Sequence, residues 1–211
     1  IERDIELLES AGVDILFIPT RDVMYPDGFD TWVEVGKLAT RLEGHKRPGH
    51  FRGVSTIVTK LFNIVRPNKA YFGQKDAQQL LVLNELNKDL NFGIDIVSMP
   101  TVREHDGLAM SSRNSYLTPD QRIAASVLYR SLKTAFRIYS AGEKSAKSIR
   151  REMENVLSEE PLANIEYISL ADIRSLCELE FVDAECLVSI AVKIGSTRLI
   201  DNIVLHPKDL R

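Results

Sequence analysis

Residues 102–116, VREHDGLAMSSRNSY, set two hydroxyls and a guanidinium side by side at Ser111, Ser112 and Arg113, directly after Met110 and shortly after a glycine. Serine hydroxyls and backbone N–H groups donate to phosphate oxygens, and an arginine fork is planar, permanently charged and able to grip them bidentately. Asp106-Gly107 marks a turn just upstream, which suits a loop that opens and closes over a ligand. Taken alone, Ser-Ser-Arg is better explained as a surface turn before the helix that starts near Pro119, because motifs this short recur by chance.

A second segment carries complementary chemistry. Gly73, Gln74, Lys75 and Asp76 follow a short β-prone run, KAYF at residues 69–72, and precede leucines 80, 81, 83, 86 and 90 at helical spacing. A strand that turns into a helix at Gly73 presents unpaired N–H groups and a positive dipole end to a ligand. Glycine lets a nucleotide approach the backbone, Lys75 offers a mobile charge for phosphate, and Asp76 can accept from ribose hydroxyls. The competing reading makes Asp76 a plain helix N-cap and Lys75 a solvated side chain. A third segment, residues 43–53, concentrates His45, Lys46, Arg47, His50 and Arg52 among three glycines and one proline. Read as a loop, it forms an anion-binding concavity around Arg47 and His50, or else an ordinary solvated charge cluster.

These residues need elements to hold them. An amphipathic helix over residues 1–11 ends at Gly12, a C′ glycine. Residues 13–19 and 93–100 read as short buried strands alternating with helices, the pattern of a parallel sheet with crossover helices. Val54, Ile57, Val58, Leu61, Phe62 and Val65 mark one apolar face of a helix over residues 54–65. Beyond Pro100 the pattern changes. Thr118-Pro119-Asp120-Gln121 is a helix start with a capping box, for a helix running to Ala141 and ending at Gly142. A second helix spans residues 145–158, and residues 164–170, 186–194 and 198–205 read as an antiparallel sheet. The fold class is therefore α/β: a parallel-sheet domain over residues 1–100, then a smaller α+β domain over residues 101–211.

Composition bounds the functional classes. The chain has 211 residues, 44% hydrophobic and 27% charged, enough for one or two packed cores. A formal charge of -3, from 27 Lys+Arg against 30 Asp+Glu, argues against a general nucleic-acid binder. Cys177 and Cys186 offer neither a disulfide framework nor metal-ligand spacing, and read as reduced, partly buried thiols of a cytoplasmic protein. No apolar run reaches the roughly 18 residues that span a bilayer, so no membrane partner is expected.

Taken together, RPGHFRGVSTIVTKLFNIVRP, AYFGQKDAQQL and TVREHDGLAMSSRNSYL, in this order and spacing, closely resemble the pantothenate synthetase family, pantoate–β-alanine ligases that form an amide with ATP. The similarity runs from GVDILFIPTRDVMYP at Gly12 to STRLIDNI at Ser196. It implies a Rossmann-like nucleotidyltransferase domain and a hinge near Pro100. It also implies two half-reactions: pantoate is adenylated with release of pyrophosphate, and β-alanine then displaces AMP. By resemblance Gly73, Gln74, Lys75 and Asp76 bind the nucleotide, with the lysine on phosphate and the aspartate on ribose. Gln79 holds pantoate, the Val102 backbone reads the adenine edge, and Met110, Ser111, Ser112 and Arg113 cover the phosphates. Lys75, Ser111, Ser112 and Arg113 are thus the expected catalytic groups, with Arg47 and His50 lining the same pocket.

ATP enters as a substrate, with Mg²⁺ bridging its phosphates and needing few protein carboxylates; Asp4 is a candidate to approach the ion. The family forms homodimers, and residues 29–35 suggest an edge strand for one. It also begins with a strand and a His-x-Gly-His loop, which none of the four histidines here reproduces, so that segment and the next βα unit are expected ahead of Ile1. Two other functions fit the residues: another nucleotidyltransferase or adenylate-forming enzyme, and a non-catalytic nucleotide-binding module. Fold logic alone does not separate them.

Overall fold

The computed structural model of the chain describes residues 1–210 and resolves two compact units, Ile1–Trp32 and Val33–Arg211. In the first, helix α1 (Glu2–Ser10) ends in paired bonds from the Gly12 N–H to the Glu9 carbonyl and from the Val13 N–H to the Leu8 carbonyl. That closure puts its C′ residue in the left-handed region, and Gly12 has φ 75°. Residues 13–19 do not form the expected buried strand: they are irregular, and Ile15 is 85% exposed. A strand exists only through its ladder partners, and the first unit contains no other strand for these residues to pair with. A single turn, α2 (Arg21–Met24), follows with Thr20 as its cap. Tyr25, Phe29 and Trp32 then pack edge to face. The expected edge strand at residues 29–35 is also absent; its two ends fall in different units.

The second unit opens with a short helix, α3 (Glu43–Lys46), and a long one, α4 (His50–Val65). The supposed loop at residues 43–53 is therefore mostly helical. Gly49, at φ 78°, turns the chain so that His50 begins α4 four residues earlier than its apolar face suggests. Strand β1 (Lys69–Gly73), helix α5 (Ala77–Asp89) and strand β2 (Asp95–Met99) make a βαβ unit, with the strands parallel and Lys69 opposite Asp95. Val58 and Phe62 of α4 pack on Leu83 and Leu86 of α5, closing the first core.

After Pro100 the chain makes a hairpin-like loop in which Arg103 pairs with Ala109. The expected 119–141 helix is two helices, α6 (Pro119–Ala124) and α7 (Val127–Ser140). Between them the backbone tightens: Ser126 N–H bonds the Ile123 carbonyl and Leu128 N–H bonds that of Ala125, while the Ser126 hydroxyl also donates to the Ile123 carbonyl. The Thr118–Gln121 capping box forms as expected. Helix α8 (Ala146–Ser158) leads into an antiparallel sheet of β3 (Ala163–Asp172), β4 (Cys186–Ile194) and β5 (Thr197–Leu205), in that order. One face of the sheet presents Leu170, Val188, Ile190 and Leu199 to the core that also holds α7 and α8. Neither cysteine is partly buried: Cys177 is exposed, and burial of Cys186 pushes its thiol up to about 12. Among the described residues no helix is long and apolar enough to cross a membrane.

Candidate active site

A solvent-open cleft of about 450 Å³ in the second unit brings together Arg47, His50, Lys75, Asp76 and Gln79. The first turn of α4 supplies His50, and Asp76 is the N-cap residue of α5, so two helix N-termini meet there. Their dipoles and unpaired N–H groups add to the charges of Arg47 and Lys75, which favours an anion. Lys75 is half-buried and its side chain makes no hydrogen bond or ion pair with the described residues, leaving its ammonium available. Asp76 occupies the cap position without a side-chain cap bond, so its carboxylate is free to accept from a ligand. Gly73 has an ordinary extended backbone, and no atom lies within 4 Å of where a Cβ would sit. Its smallness therefore leaves room for a ligand and serves no turn.

Adjacent glutamines divide the labour. Gln78 is buried: its Nε2 donates to the Leu38 and Arg41 carbonyls and its Oε1 accepts from the Glu43 N–H, which ties α5 to the segment before α3. Gln79, half-buried on the cleft wall, makes no such bonds. His50 Nε2 lies 3.0 Å from Arg47 Nη1. Since arginine only donates, that nitrogen must be unprotonated. Burial first, and then the Arg47 charge, hold the imidazole below its ordinary value of 6.5; Arg113 adds to the effect. Arg113 is thus close enough for its charge to reach the cleft.

The remaining expected residues, Gly73, Gln74, Val102, Met110, Ser111, Ser112 and Arg113, are not in the cleft wall. In the hairpin the Val102 carbonyl accepts from Met110 N–H at 2.9 Å, which leaves the Val102 N–H for a ligand. Asp106 Oδ1 accepts from Leu108 N–H, and Gly107 takes φ 93°. The Ser111 hydroxyl caps a short 3₁₀ turn, Ser112–Tyr116, by accepting from Arg113 N–H. Ser112 and Arg113 are exposed. The family profile described as Pantoate-beta-alanine ligase matches residues 1–204.

The chain belongs to that family.

Pantothenate synthetases from Herpetosiphon aurantiacus and Chloroflexus aggregans are 55% and 56% identical to it over 204 residues, covering 96% of this chain and 74% of each relative. A crystal structure of the Thermus thermophilus pantothenate synthetase superposes with a TM-score of 0.94 at 44% identity, covering 98% of this chain and 75% of that one. The Francisella tularensis pantoate-beta-alanine ligase, described as complexed with β-γ ATP and β-alanine, gives 0.74 at 32% identity over 96% of this chain and 69% of that one. The mixed α/β architecture is that of this family.

Several residues in and behind the cleft wall escaped the sequence reading. Arg198 on β5 grips both carboxylate oxygens of Glu43 at 2.8 Å, while its Nε donates to Glu166 and Tyr167 Oη donates to Glu43. Burial works to raise the Glu43 carboxyl, but bonds from Arg198 and Tyr167 outweigh it and hold it below 4.5. Asn202 donates to the carbonyls of Gln74 and Lys75, at 3.0 and 2.8 Å. A signal was present. Asp201 and Asn202 are two consecutive polar residues in a strand otherwise rich in isoleucine and leucine, where alternation allows at most one of them a solvent-facing position.

Proposed function

We propose that this chain catalyses the ATP-dependent condensation of pantoate with β-alanine, releasing AMP and pyrophosphate. A pantoate carboxylate oxygen attacks the α-phosphorus, and the bond to the β-phosphate oxygen breaks. The β-alanine amine then attacks the acyl carbon of the pantoyl adenylate, expelling AMP and losing a proton. The observation that carries this reading is the convergence of unpaired Lys75, free Asp76 and Gln79 at two helix N-termini. Such a site catalyses by positioning and by neutralising phosphate charge, with no covalent enzyme intermediate.

Within this reading Lys75 meets phosphate, Gly73, Gln74 and Asp76 hold the nucleotide, and Gln79 holds pantoate. The Val102 backbone meets adenine, and Met110, Ser111, Ser112 and Arg113 cover the phosphates, with Arg47 and His50 behind them. Separate cores before and after Pro100 support a boundary there, the later part acting as a lid. Opening such a lid separates Glu43 from Arg198. Mg²⁺, an ion commonly held by substrate phosphates with few protein carboxylates, would add to the charge neutralisation that Lys75 supplies in the cleft. A homodimer working in the cytoplasm completes the reading, and sedimentation checks the dimer. The deciding assay follows pyrophosphate release with ATP, Mg²⁺ and pantoate alone, then AMP release on adding β-alanine; no pyrophosphate before β-alanine arrives sinks the adenylate route.

A further inference from the structure

Successive side chains of a strand point to opposite faces, and β5 uses this at Asp201 and Asn202. Asp201 shares the helix-facing side with Leu199 and receives both Nη groups of Arg103, at 2.6 and 3.0 Å. Arg103 also donates to the Gly107 carbonyl and stacks 4.2 Å from the Tyr129 ring centroid, so it anchors the hairpin that leads into residues 110–113. Asn202 faces the cleft and spends its two amide hydrogens on consecutive carbonyls, Gln74 and Lys75. Both side chains are at least 95% buried. The Asn202 Oδ1 has no partner, so its amide is kept for its donors. An unpaired buried acceptor is costly, and a smaller apolar residue would avoid it.

Building on the site assignments above, we propose that Asp201 and Asn202 are positioning residues that register the two phosphate-facing segments against each other, Asp201 through Arg103 and Asn202 through the backbone of Lys75. Neither touches substrate. Adenylation needs Lys75 and the 110–113 loop on the same phosphates at once, and one rigid strand gripping both segments removes the freedom between them.

The test is a double-mutant cycle in the full-length enzyme. Asn202→Ala is expected to lower kcat for pyrophosphate release about ten- to thirty-fold, leaving the KM for pantoate within about twofold. In a Lys75→Ala background the same substitution is expected to change the rate less than threefold, because the group it positions is gone. Equal factors in both backgrounds overturn the proposal. A wild-type rate for Lys75→Ala alone overturns the site assignment instead. Should Asn202→Ala fail to fold, the similarly sized Asn202→Leu, which has no amide hydrogen to donate at any pH, takes its place; a wild-type rate for it overturns the proposal equally. For the other half, Asp201→Asn should speed amide exchange at Leu108 and Met110 at least tenfold, and unchanged exchange there refutes the role of Asp201.

Discussion

At the scale of single residues, the cleft separates groups with partners from groups without. Gln78 and Glu43 spend their polar atoms on the protein; Lys75, Asp76 and Gln79 do not. Lys75→Ala is therefore expected to leave the fold intact while removing one charged transition-state contact, about 3–4 kcal/mol or a 10²–10³-fold loss in adenylation rate. Stopped-flow pyrophosphate release together with a melting curve checks it. Gln79→Ala should weaken pantoate far more than ATP, by about 1–3 kcal/mol for one unpaired polar group of the ligand. Equal changes in both dissociation constants, measured by titration calorimetry, would move Gln79 into general packing.

Among the elements, the 103–109 hairpin leaves no room for a side chain at its glycine. Gly107 sits at φ 93°, and a Cβ there would collide with Tyr129 Cδ1, in the ring that stacks on Arg103. Gly107→Ala thus combines backbone strain with displacement of the aromatic that backs the Arg103 anchor. The expected cost is about 1–3 kcal/mol in unfolding free energy, accompanied by slower adenylation, because the strain sits at the base of the loop proposed to cover the phosphates. Urea denaturation measures the first and single-turnover kinetics the second. An unaltered denaturation midpoint would show that the hairpin absorbs a side chain there.

Across the whole molecule, Arg198 is the fastener between the β5 sheet and the α3 segment, holding Glu43 and Glu166 together. With Arg198 in place the Glu43 carboxyl lies below 4.5, and Glu166 is lowered as well, chiefly by its bond to Arg198. A depressed carboxylate contributes stability that is full above its unfolded value and lost as pH falls through the folded one. Arg198→Met leaves Glu43 buried and poorly compensated, so burial then raises its carboxyl and protonation relieves the cost. Loss of one partner of a largely buried pair is on the order of 3 kcal/mol at neutral pH. The gap in melting temperature between wild type and variant should be wide at pH 7 and narrow as pH falls, first through the raised carboxyl of the variant and then below 4.5, where the wild-type carboxyl is protonated. A pH-independent gap would assign Arg198 a packing role only.

Local pattern carried much of this. The Thr118 capping box, the three antiparallel strands and the βαβ turn at Gly73 are legible because each depends on residues within one element and its flanks. The three motifs also name the family, since their order and spacing are properties of the chain. Contacts at long separation were not legible. Residues 13–19 have strand composition but no ladder partner in their unit, the His50 turn joins α4 only because Gly49 adopts a left-handed conformation, and nothing local distinguishes Gln78 from Gln79. The grip of Arg198 on Glu43 spans 155 residues and that of Asn202 on Lys75 spans 127. Hydrogen-bond partners at such distances are chosen when packed layers bring buried polar groups within about 3 Å and leave them no water to bond instead. That choice belongs to the tertiary fold.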